Sequence, residues 1–174
     1  MSAGPVVVIG SMGSGKTSVA RRLAERLGRP FLDNDATLQA HTGCTAAEIF
    51  ARDGADALHR MEAAALFAAV AAPEPAVIAA AASVGDLDGL RERLGPGTCV
   101  VWLRARPATL KRRVLAGSHR PFVHGDPDAV ARLDAARRGA YEAAADVVLD
   151  AENRTVDELA ADAERALENP SASS

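Results

Sequence analysis

The sequence predicts an α/β protein in three layers, with helices on both faces of a five-stranded parallel sheet. Short apolar runs alternate along the chain with segments whose apolar residues have helical spacing, an order typical of parallel sheets. A length of 174 residues suits one domain of this class. We therefore expect a single domain over residues 1–168, followed by a disordered tail over residues 169–174.

Five apolar runs are the predicted strands, and the first of them, at residues 6–9, is rich in β-branched valine and isoleucine. Ligands of such sheets bind at the carboxyl ends of the strands, so the polar residues that follow each run are the candidates for function. The predicted strands are residues 6–9, 31–33, 76–80, 98–103 and 146–149.

The predicted helices have recognisable starts and stops. The first keeps Val19 and Leu23 on one face, and Gly28 ends it. Thr45 and Thr155 each precede a glutamate by three residues, the pattern of a capping box. The predicted helices are residues 17–27, 45–54, 55–72, 107–115, 128–144 and 155–168.

Composition excludes several classes of protein. The net charge is −3 with acids and bases interspersed, so we expect no nucleic-acid partner. The apolar stretch at residues 63–72 is too short to span a bilayer, and no signal peptide is evident. Cys44 and Cys99 lack nearby metal-ligand partners and are expected to be reduced, apolar residues. We expect a cytoplasmic protein without a membrane partner.

Residues 10–17, GSMGSGKT, match the motif G-x-x-x-x-G-K-[ST] without a mismatch, between a predicted strand and a predicted helix. Glycines let backbone N–H groups curl around phosphate oxygens, and the helix N-terminus adds partial positive charge. Lys16 can reach the β and γ phosphates, and the hydroxyl of Thr17 can bind Mg²⁺. A turn that merely joins strand to helix is the alternative, but the complete motif in this context favours a P-loop NTPase fold.

Four segments, the first of which begins with residues 10–17, carry a resemblance to a known family. They are GSMGSGKTSVARRLAERLGRPFLDND, EIFARDGADALHRME, LRARPATLKRRVLAGSHRPF and RRGAYEAAADVVLD. Together they resemble shikimate kinase over residues 6 to about 167. Gluconate kinase also has a P-loop and a D-x-D, but the EIF block and the Arg-Pro pair are nearer shikimate kinase. The resemblance implies a kinase of aromatic amino acid biosynthesis, which transfers the γ-phosphoryl group of ATP to a ring hydroxyl of shikimate. It also implies that this kinase has a mobile lid.

For the donor side, the resemblance implies a set of phosphate-binding residues, a metal site and nearby arginines. The phosphate-binding residues are Gly13, Ser14, Gly15, Lys16, Thr17 and Ser18. Thr17 is expected to bind Mg²⁺, with Asp33 supporting a water of its shell. Arg113 and Arg154 are expected near the nucleotide, although Arg154 beside a helix cap could equally be structural.

The segment at residues 116–127, AGSHRPFVHGDP, contains glycine and proline hinges and is predicted to be the lid. The resemblance implies that Arg120 reaches the transferring phosphate, as a catalytic residue together with Lys16. A lid arginine supplies positive charge when the lid closes, and closure also excludes water. An ordinary surface connection is the alternative for a segment of this length.

For the acceptor side, the resemblance implies that Asp35 binds the reacting hydroxyl and accepts its proton. It also implies that Arg137 pairs with the shikimate carboxylate, whereas by itself the pair Arg137-Arg138 resembles a solvated helix surface. Asp33 and Asp35 are two residues apart, so in an extended chain both project to the same side. One then faces metal and the other faces the acceptor.

Two departures from the family pattern fall on this acceptor side. An arginine of the family stands three residues before Glu62, where this chain has His59. A histidine offers one hydrogen bond to a carboxylate and a charge that depends on pH, unlike a guanidinium. Three glycines of the family follow the third strand, and their backbone approaches the acceptor. The aligned residues are Ala81, Ala82 and Ser83, which do not share the positive-φ freedom of glycine.

Three functions therefore remain open. The chain is a shikimate kinase with an altered acceptor site, a paralogue that phosphorylates another polyol, cyclitol or sugar acid, or a nucleotide-binding module with little kinase activity. His59 and Ala82 stay candidate acceptor contacts, and the predicted partner is a small hydroxylated molecule. We expect ATP and Mg²⁺ as cofactors and a monomeric protein.

Overall fold

The structure, a computed structural model, describes residues 4–117, 126 and 128–169. Its centre is a sheet of five parallel strands in the order β2-β3-β1-β4-β5. The strands are β1 (Val6–Ile9), β2 (Phe31–Asp33), β3 (Val77–Ala79), β4 (Cys99–Arg104) and β5 (Val147–Asp150). The predicted parallel sheet is confirmed, and each predicted strand overlaps an observed one.

Helices cover both faces of this sheet. They are α1 (Lys16–Leu27), α2 (Asn34–Thr42), α3 (Ala46–Asp53), α4 (Ala55–Val70), α5 (Leu90–Leu94), α6 (Pro107–Ala116), α7 (Ala129–Ala144) and α8 (Val156–Glu168), with a 3₁₀ helix at Ala82–Asp86. No helix in the described part of the chain has the length and apolar character that crossing a bilayer requires.

The central strand shows how the three layers form. Val6 and Val8 belong to a hydrophobic cluster with residues of α1, α6 and α8. Val7 and Ile9 belong to a second cluster with residues of α4, α5 and α7. Alternate side chains of a strand project to opposite faces, so a strand that is apolar at every position is buried on both sides, as parallel sheets require.

The predicted helix ends at Gly28, Thr45 and Thr155 are confirmed. Gly28 has φ of 62° and its N–H bonds to the carbonyls at the end of α1. Thr45 and Thr155 both make complete capping boxes with the glutamate three residues on. Each side chain thereby satisfies a backbone N–H that the first turn of the helix leaves without a partner.

The sequence pattern does not predict α2, which begins directly after β2. Asp33 is its N-cap, and Asp33 Oδ1 accepts hydrogen bonds from the N–H groups of Asp35 at 3.0 Å and Ala36 at 3.2 Å. The expectation that Asp33 and Asp35 project from one extended segment is therefore wrong. Asp33 ends the strand, whereas Asp35 lies in the first turn of a helix.

Helices α2, α3 and α4 share a third, small hydrophobic cluster. Its buried members are Leu38, Ile49 and Leu58, one from each helix. We call residues 34–70 the α2–α4 segment. Most of the predicted lid, including Arg120, lies outside the described residues, as does the chain beyond residue 169.

Candidate functional site

The loop between β1 and α1 has the geometry of a phosphate cradle. Gly13 has φ of 81° and Gly15 has φ of 96°, values that residues with a Cβ rarely adopt. A Cβ on Gly13 would lie 2.7 Å from the carbonyl oxygen of Leu110, whereas one on Gly15 would meet no atom within 4 Å. Gly13 therefore permits close packing against α6, and Gly15 borders open space at the start of α1.

Lys16 is the first residue of α1, and 8% of it is exposed. Its Nζ donates to the carbonyl oxygens of Gly10 at 2.8 Å and Ser11 at 3.0 Å, which holds the ammonium group within the curve of the loop. The buried hydroxyl of Ser14 has no hydrogen-bond partner among the described residues. Buried polar groups are normally satisfied, so this hydroxyl fits a site completed by a ligand oxygen.

A cavity of about 290 Å³ opens beside the loop. Residues of the loop, α1 and α6 line it: Gly13, Gly15, Lys16, Thr17, Ser18, Arg113, Val114 and Gly117. Arg113 donates to the carbonyl oxygens of Gly13 at 3.4 Å and Ala151 at 3.2 Å. The structure thus brings most of the predicted phosphate-binding residues and Arg113 to one cavity.

Thr17 and Asp33 are the predicted metal-site residues, and they are in direct contact. Thr17 Oγ1 donates to Asp33 Oδ2 at 2.9 Å, while the other oxygen of Asp33 caps α2. A hydroxyl and a carboxylate at the edge of a phosphate cavity are hard oxygen donors of the kind that Mg²⁺ prefers. This pair fits a magnesium ion carried in with a nucleotide.

One other predicted donor-side arginine, Arg154, is not brought to the cavity. Arg154 donates to Asp162 Oδ2 at 2.5 Å, and the described cavity lining does not include it. Its ion pair is within residues 154–162, which favours the structural alternative for this side chain. Arg120 lies outside the described residues, so its role stays a prediction.

The acceptor side contains a contact that the sequence did not predict. Arg137 donates to Asp86 through two parallel hydrogen bonds, Nε to Oδ1 at 2.7 Å and a terminal nitrogen to Oδ2 at 2.6 Å. His59 Nδ1 lies 3.7 Å from the same Asp86 Oδ2. Both residues predicted to bind an acceptor carboxylate therefore face a carboxylate of the chain itself.

Glu62 lies beside this group and is 6% exposed. Burial raises the pKa of its carboxyl group from 4.5 to about 7, because the charged form loses its hydration. The hydroxyl of Ser83 donates to Glu62 and partly opposes that rise, while the negative charges of Asp35 and Asp86 add to it. The acceptor side therefore gathers the carboxyl groups of Asp35 and Asp86 and the guanidinium of Arg137 around Glu62.

The turn after β3 forms without glycine. Ala81 has φ of −61° and ψ of 149°, and the residues of this turn have no positive φ. Ala82 and Ser83 begin the 3₁₀ helix, and Tyr141 donates its hydroxyl to the carbonyl oxygen of Ala82 at 2.6 Å. The alanines are thus accommodated without strained backbone, and Ser83 becomes the partner of Glu62.

A further polar contact joins the phosphate loop to α7. Ser11 donates its hydroxyl to Asp134 at 2.6 Å, and Arg138 donates to the other oxygen of Asp134 at 2.6 Å. Asp134 is 4% exposed. The pairs Ser11–Asp134 and Asp86–Arg137 are separated by 123 and 51 positions, so no local sequence signal could have revealed them.

A P-loop at the head of α1, a Thr–Asp pair beside it and a carboxylate-rich acceptor side define a small-molecule phosphotransferase of the P-loop class. The family profile described as shikimate kinase matches residues 12–168. The chain therefore belongs to the shikimate kinase family, and it is an ATP-dependent phosphotransferase of that type.

Individual relatives agree with this assignment. A shikimate kinase from Symbiobacterium thermophilum is 41% identical over 161 residues, covering 90% of this chain and 92% of the relative. One from Moorella thermoacetica is 39% identical over 166 residues, covering 94% of both chains. The solved shikimate kinase from Acinetobacter baumannii in complex with shikimate superposes with a TM-score of 0.87 at 25% identity, covering 97% of this chain and 94% of that one.

Proposed function

We propose that the protein transfers the γ-phosphoryl group of ATP to a hydroxyl of shikimate or a related small hydroxylated compound. The observation that carries this proposal is the 2.9 Å contact between Thr17 and Asp33. It sets the hydroxyl that follows the P-loop lysine beside the segment that carries Asp35. Donor phosphates and an acceptor hydroxyl bound at these two places would be neighbours.

The chemistry asks little of the protein beyond positioning and neutralisation of charge. The loop N–H groups and Lys16 would hold the β and γ phosphates, and Arg113 would add charge at the cavity wall. Mg²⁺ bound by Thr17, with Asp33 behind it, would neutralise phosphate charge. Asp35 would accept a hydrogen bond from the reacting hydroxyl and then its proton, and Arg120 would approach from the lid.

A second candidate function differs in the acceptor. The paralogue alternative, with a different polyol, cyclitol or sugar acid as acceptor, is favoured by the ion pair of Arg137 with Asp86. A third alternative, a nucleotide-binding module with little kinase activity, has no specific contact in its favour and is an outcome of the test below.

Calorimetric titration with ATP and Mg²⁺ tests the donor half. The wild type should bind, and Lys16→Ala should lower the affinity by at least about 100-fold, since a charge-assisted contact to phosphate is lost. The matched control is Lys111→Ala, because Lys111 is on α6 and pairs with Asp128. An absence of heat with the wild type would contradict the proposal at its base.

A coupled assay of ADP release with shikimate, quinate, gluconate and a panel of cyclitols tests the acceptor half. Asp35→Asn should keep nucleotide binding and lose at least about 100-fold in turnover, the usual scale of general-base catalysis. Turnover by Asp35→Asn at the wild-type rate would exclude Asp35 as the base. ADP release that needs no acceptor would instead indicate an ATPase or a nucleotide-gated module.

A further inference from the structure

The charged groups on the acceptor side form a cluster whose members we name the acceptor cluster: Asp35, His59, Glu62, Asp86 and Arg137. They come from α2, α4, the 3₁₀ helix and α7. Their arrangement determines which acceptor charge is tolerated, because the hydroxyl that receives the phosphoryl group must lie beside Asp35. The acceptor charge that they favour rests on the proposed function and specifies the chemical class of its acceptor.

We infer that Asp86 is an internal counter-ion that occupies the carboxylate-binding face of Arg137, and that the acceptor is a polyol without a carboxylate. The side chain of Arg137 is 7% exposed, whereas that of Asp86 is 39% exposed. A molecule entering from solvent therefore meets the outer face of a carboxylate, not a guanidinium. That face accepts hydrogen bonds, so it suits hydroxyl or amino groups.

An entering carboxylate would have to separate an ion pair that already has good geometry. The two hydrogen bonds of Arg137 to Asp86 are parallel and short, the arrangement in which a guanidinium binds a carboxylate most strongly. Displaced from Arg137, Asp86 would add a second negative charge beside that of the entering carboxylate. Asp86 is 39% exposed, so water would compensate part of its lost pairing, and the cost that remains is its repulsion of the entering carboxylate.

The rest of the acceptor cluster offers an anion little compensation. His59 is already 3.7 Å from Asp86, and the carboxylate of Asp35, which lies near Glu62, has the same sign as an incoming carboxylate. Like charges placed together discriminate against a wrong ligand. Uncharged polyols avoid this repulsion, and the positive amino group of an amino-substituted polyol is attracted by the same carboxylates.

The test compares two probes with the same ring hydroxyls, shikimate and its uncharged methyl ester, together with an amino-substituted cyclitol. Binding to the full chain is measured by calorimetry in the presence of ADP and Mg²⁺. The wild type should bind the ester at least about tenfold more tightly than shikimate, the discrimination of one unfavourable charge contact. Asp86→Asn should bind shikimate at least about tenfold more tightly than the wild type does, with the ester little changed.

The matched control is Asp88→Asn, which removes the same charge two residues along the chain at an exposed position. It should leave both affinities as in the wild type. Asp86→Ser provides a second variant if Asp86→Asn does not fold, and the comparison of the two probes on the wild type needs no variant. Tighter binding of the amino-substituted cyclitol than of the same cyclitol with a hydroxyl in place of the amino group would indicate an amino-polyol as the acceptor subclass.

The inference is overturned if the wild type binds shikimate as tightly as the ester, or if Asp86→Asn does not improve shikimate binding. These are affinities and do not depend on turnover. Failure of the proposed function appears separately, as no ADP release with any acceptor. A protein that binds the ester selectively but transfers no phosphate would keep the inference about charge and refute the kinase activity.

Discussion

Replacement of Glu62 by glutamine should change how stability depends on pH. Glu62 is 6% exposed, and burial raises the pKa of its carboxyl group in the folded protein to about 7. The unfolded chain releases this proton near its ordinary pKa, so the folded state binds more protons between the two values. The stabilising contribution is complete below pH 4.5 and is lost as the pH rises through 7.

The pKa values give the size of this effect. A rise from 4.5 to about 7, at about 1.36 kcal/mol per unit, corresponds to about 3 kcal/mol lost between pH 4.5 and 8. Glutamine has the same shape, and its side-chain oxygen still accepts the hydrogen bond from Ser83. Glu62→Gln should therefore match the wild type near pH 5 and exceed its stability at pH 8 by up to about 3 kcal/mol.

Urea unfolding of the wild type and Glu62→Gln at pH 5, 6, 7 and 8 measures the difference directly. The matched control is Glu74→Gln, an exposed glutamate in the loop before β3, which should show no pH-dependent difference. If the stability of Glu62→Gln relative to the wild type is independent of pH, or falls as the pH rises, the reasoning about burial is refuted.

Two more substitutions follow from the acceptor side. Gly85→Ala should destabilise the protein by about 1–3 kcal/mol in chemical unfolding, because its Cβ would lie 2.7 Å from Cβ of Arg137. Its control is Gly139→Ala, whose Cβ meets nothing within 4 Å. A Gly85→Ala variant as stable as the wild type would contradict the packing. His59→Arg should tighten shikimate binding in calorimetry about tenfold by giving Asp86 a second cation. Unchanged binding would show that charge at this position does not control the acceptor.

The donor half could be predicted from the sequence because its geometry is local. The motif around Lys16 places glycines, a lysine and a hydroxyl within eight consecutive residues, and the backbone of a strand, turn and helix fixes their arrangement. Gly13 and Gly15 indeed have the positive φ values that the motif requires. Such features depend on neighbours in the chain, which a sequence displays.

The acceptor half could not be predicted in the same way because its contacts are long-range. Arg137 and Asp86 are 51 positions apart, and nothing near either residue indicates that they pair. Asp35 was expected on an extended segment because it follows Asp33, the last residue of a predicted strand, by two residues, but Asp33 caps α2 and turns the chain into a helix. The sequence alone does not distinguish an aspartate that caps a helix from one that ends a strand, because the tertiary contacts of the following residues decide whether the helix forms.

The small cluster of Leu38, Ile49 and Leu58 has a consequence for local opening. The α2–α4 segment keeps its helices together with these three buried residues, whereas the sheet is covered by two much larger clusters. Free energies of opening follow the apolar contacts that must be broken, so amide protons of α2 and α3 should exchange faster than those of β1. Opening of this segment, which carries Asp35, would therefore leave the strand pairing beneath the phosphate loop closed.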